Sequence, residues 1–109
     1  MAKVKDLNMV RGNTLAFSFK LKNLEQTLTD AYLSVKADPS DSTYVLQKSL
    51  GDGIESLGDD TYKVRVAPDD TAELTPGQYY YDLTMVANND VYTILTGALF
   101  VAWNITVVE

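Results

Sequence analysis

The stretch Gln78-Tyr79-Tyr80-Tyr81-Asp82-Leu83-Thr84-Met85-Val86-Ala87 alternates two kinds of side chain. In an extended chain, Tyr79, Tyr81, Leu83 and Met85 fall on one face and Tyr80, Asp82, Thr84 and Val86 on the other. Successive side chains of a strand point to opposite sides, so this segment reads as a strand with one face in a core and one facing out. Pro76-Gly77 before it and Asn88-Asn89-Asp90 after it supply turn chemistry, the second as a hairpin signal. Residues 91–101 then return as its partner, with Gly97 expected to mark a bulge or bend.

The same period of two extends outward in both directions. Leu15, Phe17, Phe19 and Leu21 alternate with Ala16, Ser18, Lys20 and Lys22. Ala31, Leu33, Val35 and Ala37 alternate with Tyr32, Ser34 and Lys36, and Tyr62, Val64 and Val66 alternate with Lys63 and Arg65. Weaker strands are expected at 7–10, 44–49 and 54–57, and a final strand at 103–108, either separate or continuous with the preceding one across a bend at Ala102. Arg11-Gly12-Asn13, Gly51-Asp52-Gly53 and Gly58-Asp59-Asp60 punctuate them as turns. Pro68-Asp69-Asp70-Thr71-Ala72-Glu73-Leu74 breaks the alternation; proline at the start and acids in the first turn suit a short helical turn.

About seven to nine short strands at regular spacing predict an all-β fold, an immunoglobulin-like antiparallel β-sandwich with one short helical turn near Pro68 to Leu74. Pro76-Gly77-Gln78-Tyr79 fits the tyrosine corner of such domains, where the hydroxyl bonds back to nearby backbone. At 109 residues the chain holds one domain, with residues 1–5 expected as an arm that orders on docking.

Composition narrows the function classes. Hydrophobic residues make up 46% and charged residues 22%, as in globular domains. There is no cysteine and no histidine, which removes disulfides, thiolate metal sites and the commonest general base. Nine basic against fifteen acidic residues leave a net charge of −6, with Lys20, Lys22, Lys36, Lys48, Lys63 and Arg65 scattered among acids. Such a surface repels phosphate and anionic lipid, so neither nucleic acid nor membrane is expected as a partner. The longest apolar stretch, 98–103, is too short to span a bilayer, and no signal peptide is expected.

No catalytic residue, metal site or cofactor is expected. Lys48-Ser49 lacks any recognisable dyad context, and the adjacent pairs Asp59-Asp60 and Asp69-Asp70 read as turn acids. Asp38, Asp41 and Asp52 offer hard oxygens, but not in the spacing of a calcium loop. The aromatics carry more interest, with seven tyrosines, three phenylalanines and one tryptophan. Tyr79 and Tyr81 belong to the inward rows, whereas Tyr32, Tyr80 and Tyr92 are expected to face outward. With Trp103 they are the candidate binding residues, for a protein partner or for sugar rings; ordinary cross-strand pairing is the plainer alternative.

Four segments occur in a distinctive order: Gly12-Asn13-Thr14, Leu28-Thr29-Asp30-Ala31, Pro76-Gly77-Gln78-Tyr79-Tyr80-Tyr81-Asp82-Leu83 and Tyr92-Thr93-Ile94-Leu95-Thr96-Gly97. That order resembles the N-terminal domain of phage baseplate upper proteins and related prophage tail and virion proteins of Gram-positive bacteria, over most of the chain from Asp6 to Val108. The resemblance implies a non-enzymatic virion part, made in the bacterial cytoplasm, that binds other tail or baseplate subunits or copies of itself. Members of that family often continue into receptor-binding domains; no separate domain of that kind is expected within these 109 residues. A carbohydrate-binding or adhesion module using the outward aromatics is the alternative from a different class.

Overall fold

The computed structural model describes residues 3–20, 28–58, 61–87 and 89–105. Nine strands are present among them: β1 (Lys3–Val4), β2 (Leu7–Val10), β3 (Leu15–Lys20), β4 (Leu28–Lys36), β5 (Leu46–Leu50), β6 (Gly53–Gly58), β7 (Thr61–Val66), β8 (Gly77–Ala87) and β9 (Asp90–Ala102). A single helical turn, α1 (Pro68–Thr71), lies between β7 and β8.

The hydrogen-bonded order is β1-β9-β8-β4-β5-β6-β7-β3, with β2 following β1 along β9. The path folds over at Gly51-Asp52, where Ser49 pairs with Gly53 and Leu50 with Ile54. One layer is therefore β1/β2-β9-β8-β4-β5 and the other β6-β7-β3. Their inner faces meet in one core. Ala31, Leu33, Val35, Tyr79, Tyr81, Leu83, Met85, Leu99 and Val101 come from the first layer, and Ile54, Tyr62, Val64 and Val66 from the second. Phe17 and Phe19 pack against this cluster from β3, and the Phe19 ring stacks on Tyr62 at 5.6 Å between centroids.

The alternation in the sequence is thus realised: Tyr79 and Tyr81 are buried, while Tyr80 on the same strand is 38% exposed. The tyrosine corner forms as expected, with the Tyr79 hydroxyl donating to the Thr75 carbonyl at 2.5 Å. The helical turn is shorter than the expected segment. The Asp70 carboxylate accepts from the Ala67 N–H at 2.7 Å, and Leu74 N–H closes a following turn on the Thr71 carbonyl at 3.0 Å. Buried Thr71 accepts from the Gly12 N–H at 2.9 Å, which ties this helical turn to the turn between β2 and β3. There, Asn13 N–H bonds the Val10 carbonyl at 3.0 Å across a turn whose Gly12 has φ 77°, the left-handed value that type II turns require of their third residue.

Several boundaries differ from the sequence expectation. The ladder is not wholly antiparallel, since β1 and β2 run parallel to β9 and β5 meets β6 in parallel. No hairpin ties the N-terminal strands to β9, so their direction is free. Residues 3–5, expected within a docking arm, lie along β9: Lys3 and Val4 pair with Leu95 and Thr96, and Lys5 N–H bonds the Thr96 carbonyl at 2.9 Å. Tyr44 and Val45 precede β5 rather than opening it. Residues 103–105 are not strand, because β9 ends at Ala102; residues 106–108, like 21–22 and 59–60, lie outside the described residues.

Gly97 is not the bulge. It pairs in register with Tyr81, and the register shifts instead between Leu83 and Thr84, whose partners Leu95 and Thr93 leave Ile94 as the extra residue. What Gly97 provides is room. A Cβ there would collide with the Lys5 carbonyl oxygen, and that carbonyl accepts the Tyr81 hydroxyl at 2.5 Å. Between β1 and β2, the Asp6 carboxylate takes the Ala98 N–H at 3.1 Å, filling the place of a missing ladder bond.

Gly97→Ala is expected to push this segment off β9 and leave the Tyr81 hydroxyl without its acceptor. The expected loss is about 1–3 kcal/mol of stability, the usual cost of an unsatisfied buried polar group. Urea unfolding checks this: the midpoint should fall with little change in slope.

Candidate functional site

Because β4 and β8 each bury one face, their other faces come together on the outside of the first layer. Register places Tyr32 opposite Thr84, Ser34 opposite Asp82 and Lys36 opposite Tyr80. Across β8, Asp82 faces Thr96 and Tyr80 faces Ala98, and β5 adds Gln47 opposite Ser34. With Val4, Pro39 and Tyr44, these side chains line an open trough of about 760 Å³.

The polar groups of the trough are held by one another. Gln47 Nε2 donates to Ser34 Oγ at 3.0 Å, Thr84 Oγ1 to Asp82 Oδ1 at 3.1 Å, and Thr96 Oγ1 to the Tyr81 carbonyl at 3.3 Å. The Lys36 ammonium lies 5.2 Å from the Tyr44 ring centroid, within cation–π range. Tyr32 donates its hydroxyl to Asp30 Oδ2 at 2.7 Å, and Asp30 Oδ1 accepts from the Ala31 N–H at 2.9 Å. These bonds hold the Asp30 carboxyl below its ordinary range, first through Tyr32 and then through Ala31, and the Tyr32 phenol correspondingly above its own. The result is a face of aromatic rings with fixed polar groups between them.

The expected binding residues divide three ways. Tyr32 and Tyr80 are brought together in the trough. Tyr92 is 48% exposed but opposes Met85, whose side chain is buried, so it lies on the inner side of the sheet, near the hairpin tip and apart from the trough. Its hydroxyl reaches the Asp90 carboxylate at 3.3 Å, and that charge first, then burial, raises its phenol above the ordinary value. Trp103 is 63% exposed and carries the Arg11 guanidinium 4.7 Å from its ring centroid. Arg11 also donates Nε to Asn104 Oδ1 at 3.2 Å and N–H to the Ala102 carbonyl at 2.9 Å, so Trp103 helps fasten the chain after β9 to the turn after β2.

Tyr44, Lys36, Ser34, Gln47, Asp82, Thr84 and Thr96 were missed as trough residues. The alternation assigned most of them to outward faces, but only strand order brings those faces side by side.

The acids and Lys48 have structural work. Lys48 Nζ pairs with Asp70 at 2.9 Å, so it is turned to α1. Asp38 accepts from Ser40 N–H at 2.9 Å and Ser40 Oγ at 2.8 Å, which lower its carboxyl and mark a turn. Asp41 N–H bonds the Asp38 carbonyl at 2.9 Å in the same turn. Ser49 and Asp52 exchange backbone bonds at 3.0 and 2.8 Å where the sheet folds over. Among the described residues, no group of three or more acids could hold a metal ion.

No family model and no curated protein matches the chain. Solved structures do. The natural killer cell receptor NKp44 superposes with a TM-score of 0.54 at 15% identity, covering 93% of this chain and 100% of that one. The extracellular domain of the voltage-gated sodium channel beta4 subunit, described as parallel homodimers that explain a role in cell-cell adhesion, gives 0.50 at 10% identity, covering 96% of both. Likeness at such identity speaks to fold alone, and the fold is an immunoglobulin-like β-sandwich.

Tyr32→Phe is expected to release the Asp30 carboxyl toward the ordinary value of about 3.9. Because the folded value is depressed, the stabilisation is present above the unfolded value and fades as pH falls through the folded one. An NMR titration of the Asp30 carboxyl carbon in both proteins should show its midpoint moving up in the variant. The stability difference between them should shrink below about pH 4.

Proposed function

We propose that this chain is a non-enzymatic structural module of a phage-type virion, in its tail or baseplate, and that it docks a protein partner through the trough on the outer face of β5-β4-β8-β9. The observation that carries the docking surface is that Tyr32, opposite Thr84, and Tyr80, opposite Lys36, line one trough on the outer sheet face, with Tyr44 at its border. Tyrosine rings give large contact area at small entropic cost, and a binding patch gains most from such anchors at its centre. The polar groups between them are already oriented by mutual hydrogen bonds, so a partner meets a face that needs little ordering. The assignment to a virion rests on the resemblance of the four sequence segments, in their order, to baseplate upper proteins.

A glycan is the second reading, favoured by one feature. Ser34, Gln47, Asp82, Thr84 and Thr96 offer hydroxyl, amide and carboxylate groups in the same trough as Tyr32, Tyr44 and Tyr80, and sugars combine stacking on rings with hydrogen bonds to such groups.

Tyr80→Ala is expected to weaken binding to the tail or baseplate partner by at least about tenfold while leaving the fold intact, as truncating a central anchor does. Titration calorimetry against isolated virion proteins and host cell-wall glycans tests both readings. Binding only to glycan would replace the first with the second. Retention of full protein affinity by Tyr80→Ala and Tyr32→Ala together would remove the trough from either.

A further inference from the structure

The sandwich ends on two edges that differ in character. At one, β1 and β2 present Lys3, Lys5, Asp6 and Asn8, all exposed, and the Lys5-Asp6 step interrupts the ladder. Charges and irregularity of that kind discourage pairing with another chain. At the other lies β3. Its pairing with β7 runs in unbroken register from Leu15–Val66 to Lys20–Thr61, and among the described residues no strand lies on its other side.

In sandwiches of this class the N-terminal strand commonly lies beside the second strand, in the ABED arrangement. Here β1 and β2 both align on β9, so that place beside β3 is not taken by the N-terminal strand. From Leu15 to Phe19 the strand has no charge and no proline. Its inward side chains Leu15, Phe17 and Phe19 pack on the core yet remain only partly buried. Among the described residues no strand covers those apolar groups at the edge, where the backbone pairing of the sheet can also be extended.

We propose that β3 is a self-association edge, at which a second copy of this chain adds its own β3 antiparallel about a two-fold axis at Ser18. The sequence of the strand favours this occupant. In that register Phe17 of each copy lies beside Phe19 of the other, extending the inward apolar row across the axis. On the outward face Ser18 meets Ser18 and Ala16 meets Lys20, so no like charges oppose one another. The surface is separate from the trough, and the inference holds whatever binds there.

The test is sedimentation of the full-length protein from micromolar to millimolar concentration at physiological salt, with exposed Ser18 changed to either sign of charge. The wild type should dimerise reversibly. Ser18→Lys and Ser18→Glu should each self-associate about fivefold more weakly, because each sets two like charges opposite at the axis. An equimolar mixture of the two should recover or exceed the wild-type affinity, which a mere folding defect would not do. Tyr80→Ala should leave dimerisation unchanged. A wild type that stays monomeric throughout, charge variants that dimerise as well as wild type, or a dimer lost on Tyr80→Ala rather than at Ser18 would each overturn the proposal.

Discussion

The row Tyr79, Tyr81, Leu83 and Met85 must leave water, and neighbours within the same sheet cannot cover it because they meet β8 edge to edge. Only a second layer can. The chain supplies one by folding its hydrogen-bonded path over at Gly51-Asp52, which lays Ile54, Tyr62, Val64 and Val66 across the inner face. Burying a side chain such as Leu83 or Met85 stabilises by about 1.5–3 kcal/mol, large against the net stability of small domains. The same arithmetic explains the trough. One second layer covers one face, so the outward residues of β4 and β8 stay available to something else.

Immunoglobulin domains of antibodies often brace the two layers with a disulfide whose second cysteine stands two residues after the corner tyrosine. Here that place is Tyr81, and there is no cysteine in the chain. Burial, and then the nearby Asp6 charge, raise the phenol of Tyr81, so it stays a neutral donor, fixed to the Lys5 carbonyl. The contact fastens β8 to the N-terminal segment rather than to β3. It depends on Gly97, over which the Lys5 backbone passes.

The period-two reading located β8, β4, β7 and most of the core, because each of these strands is wet on one side only and its sequence records the difference. The tyrosine corner was legible for a similar reason, as a local motif with a local bond. The role of Gly97 was not legible: a glycine in a strand signals either a bulge or a close backbone approach, and the approaching chain, Lys5, lies far away in sequence. Exposure of Tyr92 and Trp103 was foreseeable, but their separation from Tyr32 and Tyr80 depends on the Ile94 bulge and on Arg11, neither of which leaves a pattern in the alternation. Tyr44 was hidden by its place in a loop, where no period applies.

The parallel run of β1 and β2 beside β9 has a mechanical consequence. Lys3 sits at the Leu95 end of that ladder, while Ala102 sits beside Val10 at the other. Tension applied at Lys3 and just past Ala102 therefore acts along the strands and loads the ladder in shear. Its hydrogen bonds must yield together rather than peel one after another, and the Tyr81 hydroxyl on Lys5 and the Arg11 contact with Trp103 brace the two ends of the seam. A domain strung this way resists pulling along its length better than its equilibrium stability alone would suggest, since rupture under load follows the unfolding barrier.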